Sequence, residues 1–222
     1  METENGVNAA VYPLSSFEHQ IASEEELREL LGHPSTLVRN KVIDHLDHHC
    51  CEFIRLSPYA VLSTCNSDGR CDASPRGDAP GFARVLDERR LVIPERPGNR
   101  RMDSLLNILS NPHVGIIFMI PGLEETLRVN GSACVIRDEF ILSEMDVNGR
   151  RPLVGIGIEV EECYIHCAKA LKRSRLWQSD SWPSPSELPN PAKILAEHAA
   201  IPDLTPAKVG ETLRDSYTNR LY

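Results

Sequence analysis

From Tyr59 onward the chain is written in short β-type segments separated by turn residues, and this pattern narrows its fold more than any other feature. Ala60-Val61-Leu62-Ser63-Thr64 is apolar and β-branched. The turn Asn66-Ser67-Asp68-Gly69 leads from it into Cys71-Asp72-Ala73-Ser74, which is the pattern of a hairpin. Further strands are expected over 82–86, 91–94, 114–120, 126–136 and 154–161, with Asp87-Glu88 as another tight turn. One helix interrupts them, from Asp103 to Leu109, and Asn111-Pro112 ends it. Many short strands with few long helices predict an α+β, mainly antiparallel chain, a barrel or sandwich, and not alternating β-α units.

Helices flank this region. Residues 1–22 lack a sustained period and read as an arm. Ser23-Glu24-Glu25-Glu26 is a capping box, Leu27, Leu30 and Leu31 mark an apolar face, and Gly32 followed by Pro34 stops the helix. A second helix is expected from Thr36 to Arg55, because Val42, Leu46, Cys50, Phe53 and Ile54 fall near helical spacing. Beyond Ser179, Pro183, Pro185, Pro189, Pro191 and Pro202 predict an extended segment around a terminal helix near Ala192–Ala200. The organisation read from this is an N-terminal arm with two helices over 1–56, a β body over 57–178 and a C-terminal extension over 179–222, in one structural domain.

A chain of 222 residues buries roughly 70% of its unfolded surface, enough core to need no disulfide or metal support. No run approaches the ~20 apolar residues of a membrane span, and the first ten residues hold acids but no basic residue, unlike a secretory signal. Twenty-four Lys and Arg against 32 Asp and Glu give a net charge of −8, which argues against nucleic-acid or anionic-membrane binding. The seven cysteines are odd in number and form no CxxC pair; reduced thiols and a cytoplasmic location are the expectation.

Several chemistry-bearing patterns are weak. His45 and His49 have the i, i+4 spacing of a zinc pair, but there is no HExxH and no evident third ligand. Gly155-Ile156-Gly157 lacks the rest of a dinucleotide fingerprint, no GxSxG elbow exists, and Cys163, His166 and Cys167 read as structural. No metal is expected.

Leu91-Val92-Ile93-Pro94-Glu95-Arg96-Pro97-Gly98-Asn99-Arg100-Arg101-Met102-Asp103-Ser104 is more informative. A strand ends, a Pro/Gly loop turns, and a helix begins among three arginines. Helix-start amides favour phosphate, arginine adds bidentate charge-assisted bonds, and Asn99 and Ser104 are further donors. A second basic island, Lys169, Lys172, Arg173 and Arg175, follows the last strand.

With this segment the chain resembles the pyridoxamine 5′-phosphate oxidase-like family of FMN-binding split β-barrels, in an uncharacterised branch. The matching pieces include Ser57-Pro58, Asp72-Ala73-Ser74-Pro75-Arg76-Gly77, Pro80-Gly81-Phe82, the arginine loop, Asn111-Pro112-His113-Val114-Gly115, Thr126-Leu127-Arg128-Val129-Asn130-Gly131 and His166-Cys167-Ala168-Lys169-Ala170. The resemblance implies a six-stranded split barrel, a homodimer and FMN in clefts shared by both subunits. It implies that Asn99, Arg100, Arg101 and Ser104 hold the phosphate, that Pro94 and Glu95 border the flavin, and that Thr126 contacts the ring. Arg84 would lie beside the isoalloxazine. Lys169, Arg173 and Trp177 would reach it from the second subunit, Trp177 alternatively anchoring the interface.

The terminal Arg-x-His of the vitamin B6 enzyme has no match in Asn219-Arg220-Leu221-Tyr222, so a different small-molecule substrate is expected. The reading is an FMN-dependent oxidoreductase, with NAD(P)H as a candidate donor and Arg76 as the residue for an anionic substrate. Arg76 and Arg84 are both placed either to stabilise a reduced flavin or to bind that substrate. No dedicated general base is evident. A non-catalytic flavin carrier or sensor and a haem-binding split barrel are the alternatives.

Overall fold

The computed structural model describes residues 14–222; most of the arm expected over 1–22 lies outside them. The chain divides into two compact units, Met1–Asn40 and Lys41–Tyr222. In the first, α1 (Glu24–Leu31) begins at the anticipated cap, where the Ser23 hydroxyl accepts from the Glu26 amide, and α2 spans Thr36–Asn40.

The second unit starts where the long helix was expected to continue. Instead Ile43 forms an isolated bridge with Cys163, and a new helix, α3 (His48–Leu56), starts behind the Asp47 cap. Apolar residues at helical spacing are compatible with that break because the backbone of Ile43 finds its partner in a strand, with bonds of 3.0 and 2.7 Å to Cys163.

The strands are β1 (Tyr59–Cys65), β2 (Cys71–Gly77), β3 (Arg84–Val85) and β4 (Arg90–Pro94); α4 (Asp103–Ser110) then precedes β5 (His113–Met119) and β6 (Thr126–Ile136). After α5 (Glu139–Ser143) come β7 (Gly155–His166), α6 (Lys169–Ser174), α7 (Pro191–Ala199) and α8 (Pro206–Asn219). All pairings are antiparallel, in the order β2-β1-β5-β6-β7-β4-β3. The fold is therefore α+β with one seven-stranded antiparallel sheet and flanking helices, consistent with the split barrel. Each of the seven segments expected to be strands pairs, one more than the six of the split barrel that the resemblance implies; the third is a two-residue pairing, because Gly81, at φ +85°, holds Phe82 in a turn and only Arg84–Val85 of the anticipated 82–86 segment pairs.

One face of β1, β5, β6 and β7 alternates inward and supplies the core. Leu62, Ile116, Phe118, Leu127, Val129, Ile156 and Val160 pack with Phe53 and Ile54 of α3 and Leu105 and Ile108 of α4. α4 is held onto β1 and β2 by two side-chain bonds: Asn107 donates to Thr64 Oγ1 (3.0 Å), and Ser104 donates to Asp72 Oδ2 (2.9 Å). Among the described residues, no helix is long and apolar enough to cross a membrane.

Candidate functional site

Between β2, the end of β4 and the start of α4 lies a cavity of about 460 Å³. Its walls are residues 72–77 of β2, Phe82, Pro94 at the end of β4 and residues 95–99 after it, and Met102, Asp103 and Ser104 at the start of α4. The loop that carries it is strained. Arg100 (φ 61°) and Met102 (φ 59°) are both left-handed, although Gly98 and Asn99 stand beside them. Asn99 Oδ1 steadies the turn by accepting from the Arg101 amide at 3.0 Å.

Met102 gives α4 no side-chain cap, and the first bonded amide is that of Leu106, to Met102 O (2.9 Å). The helix start on the cavity wall thus presents donors that an anion can take. A second opening for a ligand is Arg76: its side chain is 12% exposed and its Nε is buried without any hydrogen-bond partner. These two features make the cavity a fit for a ligand bearing phosphate and further acceptors.

The arginines are less available than the sequence implies. Arg76 pairs with Glu95, Arg101 Nε with Asp103 Oδ2 (2.8 Å), and Arg96 Nε with Asp78 Oδ2 (2.8 Å). Arg96, which also lines the cavity, stacks its guanidinium 5.7 Å from the centre of the Tyr222 ring, and the Tyr222 hydroxyl donates to Asp78 Oδ1 (2.7 Å). Burial pushes the Asp78 carboxyl up, but Tyr222, the Ala79 amide and Arg96 outweigh it and hold the carboxyl below its usual range. The Tyr222 phenol is correspondingly pushed up by Asp78. Arg100 makes no ion pair among the described residues.

Of the residues singled out from sequence, the structure brings Arg76, Pro94, Glu95, Asn99 and Ser104 onto the cavity wall, with Arg100 and Arg101 in the same loop. It places Arg84 elsewhere, paired with Glu144. Thr126, at the start of β6 opposite His166, and Lys169, Arg173 and Trp177, on and after α6, do not line this cavity either. Trp177 Nε1 donates to Leu123 O at 2.9 Å, and Lys172 pairs with Glu124. Sequence reading missed Asp72, Asp78 and Tyr222. Asp72 opens the matched Asp72-Ala73-Ser74-Pro75-Arg76-Gly77 segment and Asp78 directly follows it, so both were within reach, whereas Tyr222 is 144 positions from its partner and left no signal.

The weaker candidates resolve simply. His45 precedes α3 and shares no helix with His49; Asp47, His48 and His49 instead hold ligand-type atoms within 4.8 Å of one another. Cys163 is buried in the core with its sulfur 3.3 Å from that of Cys50, and the Cys50 sulfur together with burial pushes its thiol up.

A family model described as pyridoxamine 5′-phosphate oxidase matches residues 46–167. Solved structures similar to the chain include HupZ from Group A Streptococcus (18% identity, 51% of this chain and 88% of that one, TM-score 0.43). Others are general stress protein 26 from Bacillus anthracis (18%, 52% and 88%, 0.40) and an FMN-binding protein from Syntrophomonas wolfei (7%, 53% and 88%, 0.41). No curated protein matches the sequence.

Proposed function

We propose, since the chain belongs to the pyridoxamine 5′-phosphate oxidase family, that it is an FMN-binding oxidoreductase whose cofactor occupies the cavity between β2 and β4. The observation that carries this reading is the pairing, on one wall, of an uncapped helix start with a buried arginine donor that lacks an acceptor. The phosphate belongs at the helix start, where the α4 amides, that of Ser104 among them, and the Asn99 side-chain amide offer donors and Arg100 brings an uncommitted charge; the Ser104 hydroxyl is already given to Asp72. The ring system belongs along Pro94 and Glu95, with Arg76 Nε donating to one of its acceptors.

FMN would supply hydride or electron transfer; the protein's part is to hold, orient and shield it. Glu95 keeps Arg76 in place, and Phe82 provides apolar cover. No side chain on the wall is set up as a dedicated base, which suits hydride chemistry, where alignment of the reactants supplies much of the rate. Lys169, Arg173 and Trp177 would complete the site from a second copy of the chain, making the working form a homodimer. The substrate is a small molecule, with NAD(P)H the first donor to try.

Flavin titration followed by fluorescence quenching tests the reading. Removing both charges with Arg100→Ala and Arg101→Ala should weaken FMN by about ten- to a hundredfold, the loss of one charge-assisted contact or more. Riboflavin, which has no phosphate, should be little affected. Equal losses for the two ligands, or no FMN binding by the unaltered protein, would overturn it. Sedimentation of the loaded protein reports the dimer, and anaerobic bleaching by NAD(P)H reports turnover.

A further inference from the structure

We infer that Cys65 and Cys71 are a redox site, a dithiol that closes to a cross-strand disulfide by exchange with a small-molecule disulfide such as oxidised glutathione. The two residues face each other across the β1–β2 hairpin as direct register partners at its last pair. Their pair is of the type without mutual backbone bonds. The Asp78 amide donates to Pro58 O and the Asn66 amide to Arg70 O, so the bonded pairs fall at even positions of β1. The pairs at odd positions, including Cys65 with Cys71, are the unbonded ones.

Pro75 supports this parity. It shares the parity of Cys71 on β2, the edge strand of the sheet, where the nitrogen of such a residue points away from β1 and needs no hydrogen. Unbonded pairs bring Cα atoms to about 4.5 Å, inside the 4.4–6.8 Å range that a disulfide spans. Both thiols lie on the sheet face opposite the core, Cys71 exposed and Cys65 half-buried, and neither is bridged. Burial and the neighbouring Cys71 push the Cys65 thiol up, which fits Cys71 as the first to react.

The exchange balances without further reagents. The Cys71 thiolate attacks one sulfur of glutathione disulfide, forming a mixed disulfide and expelling one glutathione thiolate, which takes up the proton Cys71 released. Cys65 then loses its proton, attacks the Cys71 sulfur and expels the second glutathione. Two protein thiols are oxidised and one small disulfide is reduced to two thiols. The bond has a structural consequence one residue away. Thr64 and Asp72 are the adjacent register pair, and they are the residues that hold Asn107 and Ser104 of α4. Closing the pair ties the hairpin end that anchors this helix.

Intact-mass measurement and peptide mapping after treatment of the full chain with glutathione disulfide test the assignment. The expected product has lost two hydrogens, about 2 Da, with the bond mapped to Cys65–Cys71, and a dithiol reductant should reverse it. Cys65→Ser should stop at a glutathione adduct on Cys71, and Cys71→Ser should give neither product at this hairpin. Amide exchange of residues 60–77 should slow in the oxidised form. A bond mapped to Cys50–Cys163, an adduct on Cys71 in the unaltered protein that never resolves, or unreacted thiols at 65 and 71 would overturn the inference. Unchanged exchange in the oxidised form would remove the link to α4.

Discussion

Replacing Asp78 by asparagine strips the negative charge from a position only 3% exposed, while Arg96, 16% exposed, keeps its positive one. In the native protein the carboxylate accepts from Arg96 Nε (2.8 Å), the Tyr222 hydroxyl (2.7 Å) and the Ala79 amide (2.8 Å). Breaking a buried ion pair by removing one partner costs about 3–5 kcal/mol. The asparagine oxygen still accepts some of these bonds and Arg96 borders an open cavity, so about 2–3 kcal/mol is the expected loss. Urea unfolding at neutral pH should show it as a lower midpoint with an unchanged slope.

The pH dependence has a definite sign. The folded pKa of Asp78 is depressed, so its contribution is complete above the unfolded value near 3.9 and disappears as pH falls through the folded value. The gap between native protein and variant should stay level through neutral pH and narrow below about pH 4. Combining Asp78→Asn with Arg96→Gln should cost less than the two single losses added, by about 1–3 kcal/mol. A neutral-pH loss below about 0.5 kcal/mol, additive singles, or a gap that widens in acid would refute the reasoning.

Two further substitutions probe the frame that carries the cavity. A Cβ on Gly131 would sit 2.0 Å from Glu159 O, at the bulge where Asn130 pairs with Glu162 and Gly131 with Val160. Gly131→Ala should therefore force β6 and β7 apart and cost about 3 kcal/mol or more in chemical unfolding, and a near-neutral result would contradict the observed register. Phe118, near the end of β5, is fully buried in the core, and Phe118→Ala should cost about 3–5 kcal/mol, read as a lowered thermal midpoint; less than about 1 kcal/mol would mean the core is not where it is described.

Local signals in the sequence carried most of the fold. β6 occupies the expected Thr126–Ile136, and α4 begins at the expected Asp103, because alternation and helix-start chemistry are written in neighbouring residues. No helix was expected beyond Ala200, yet α8 follows there, its start fixed by Thr205 before Pro206, with the Thr205 side chain accepting from the Lys208 amide. What failed depended on distant partners. The helix expected over 36–55 breaks because Ile43 pairs with Cys163, and nothing near Ile43 says so. The left-handed turns fall on Arg100 and Met102 and not on Gly98, since the loop's path is set by the two ends it must join.

The same division governs the site. A sequence shows three arginines around a helix start and invites the reading of a phosphate clamp, but it does not show their carboxylates. Arg96 is committed to Asp78 in a shielded network that reaches Tyr222, so it serves the wall more readily than a ligand. Arg101 is different: its pair with Asp103 is largely exposed, 71% and 42%, and water and salt screen pairs of that kind, so it holds the guanidinium weakly. A phosphate at the helix start offers a doubly charged, bidentate acceptor in place of that screened carboxylate. Arg101 is therefore held loosely enough to turn from its carboxylate to an anion, and Arg100 has no carboxylate to leave. The loop that looked like a cluster of equivalent guanidinium groups thus divides into one that shapes the cavity and two that remain available to an anion.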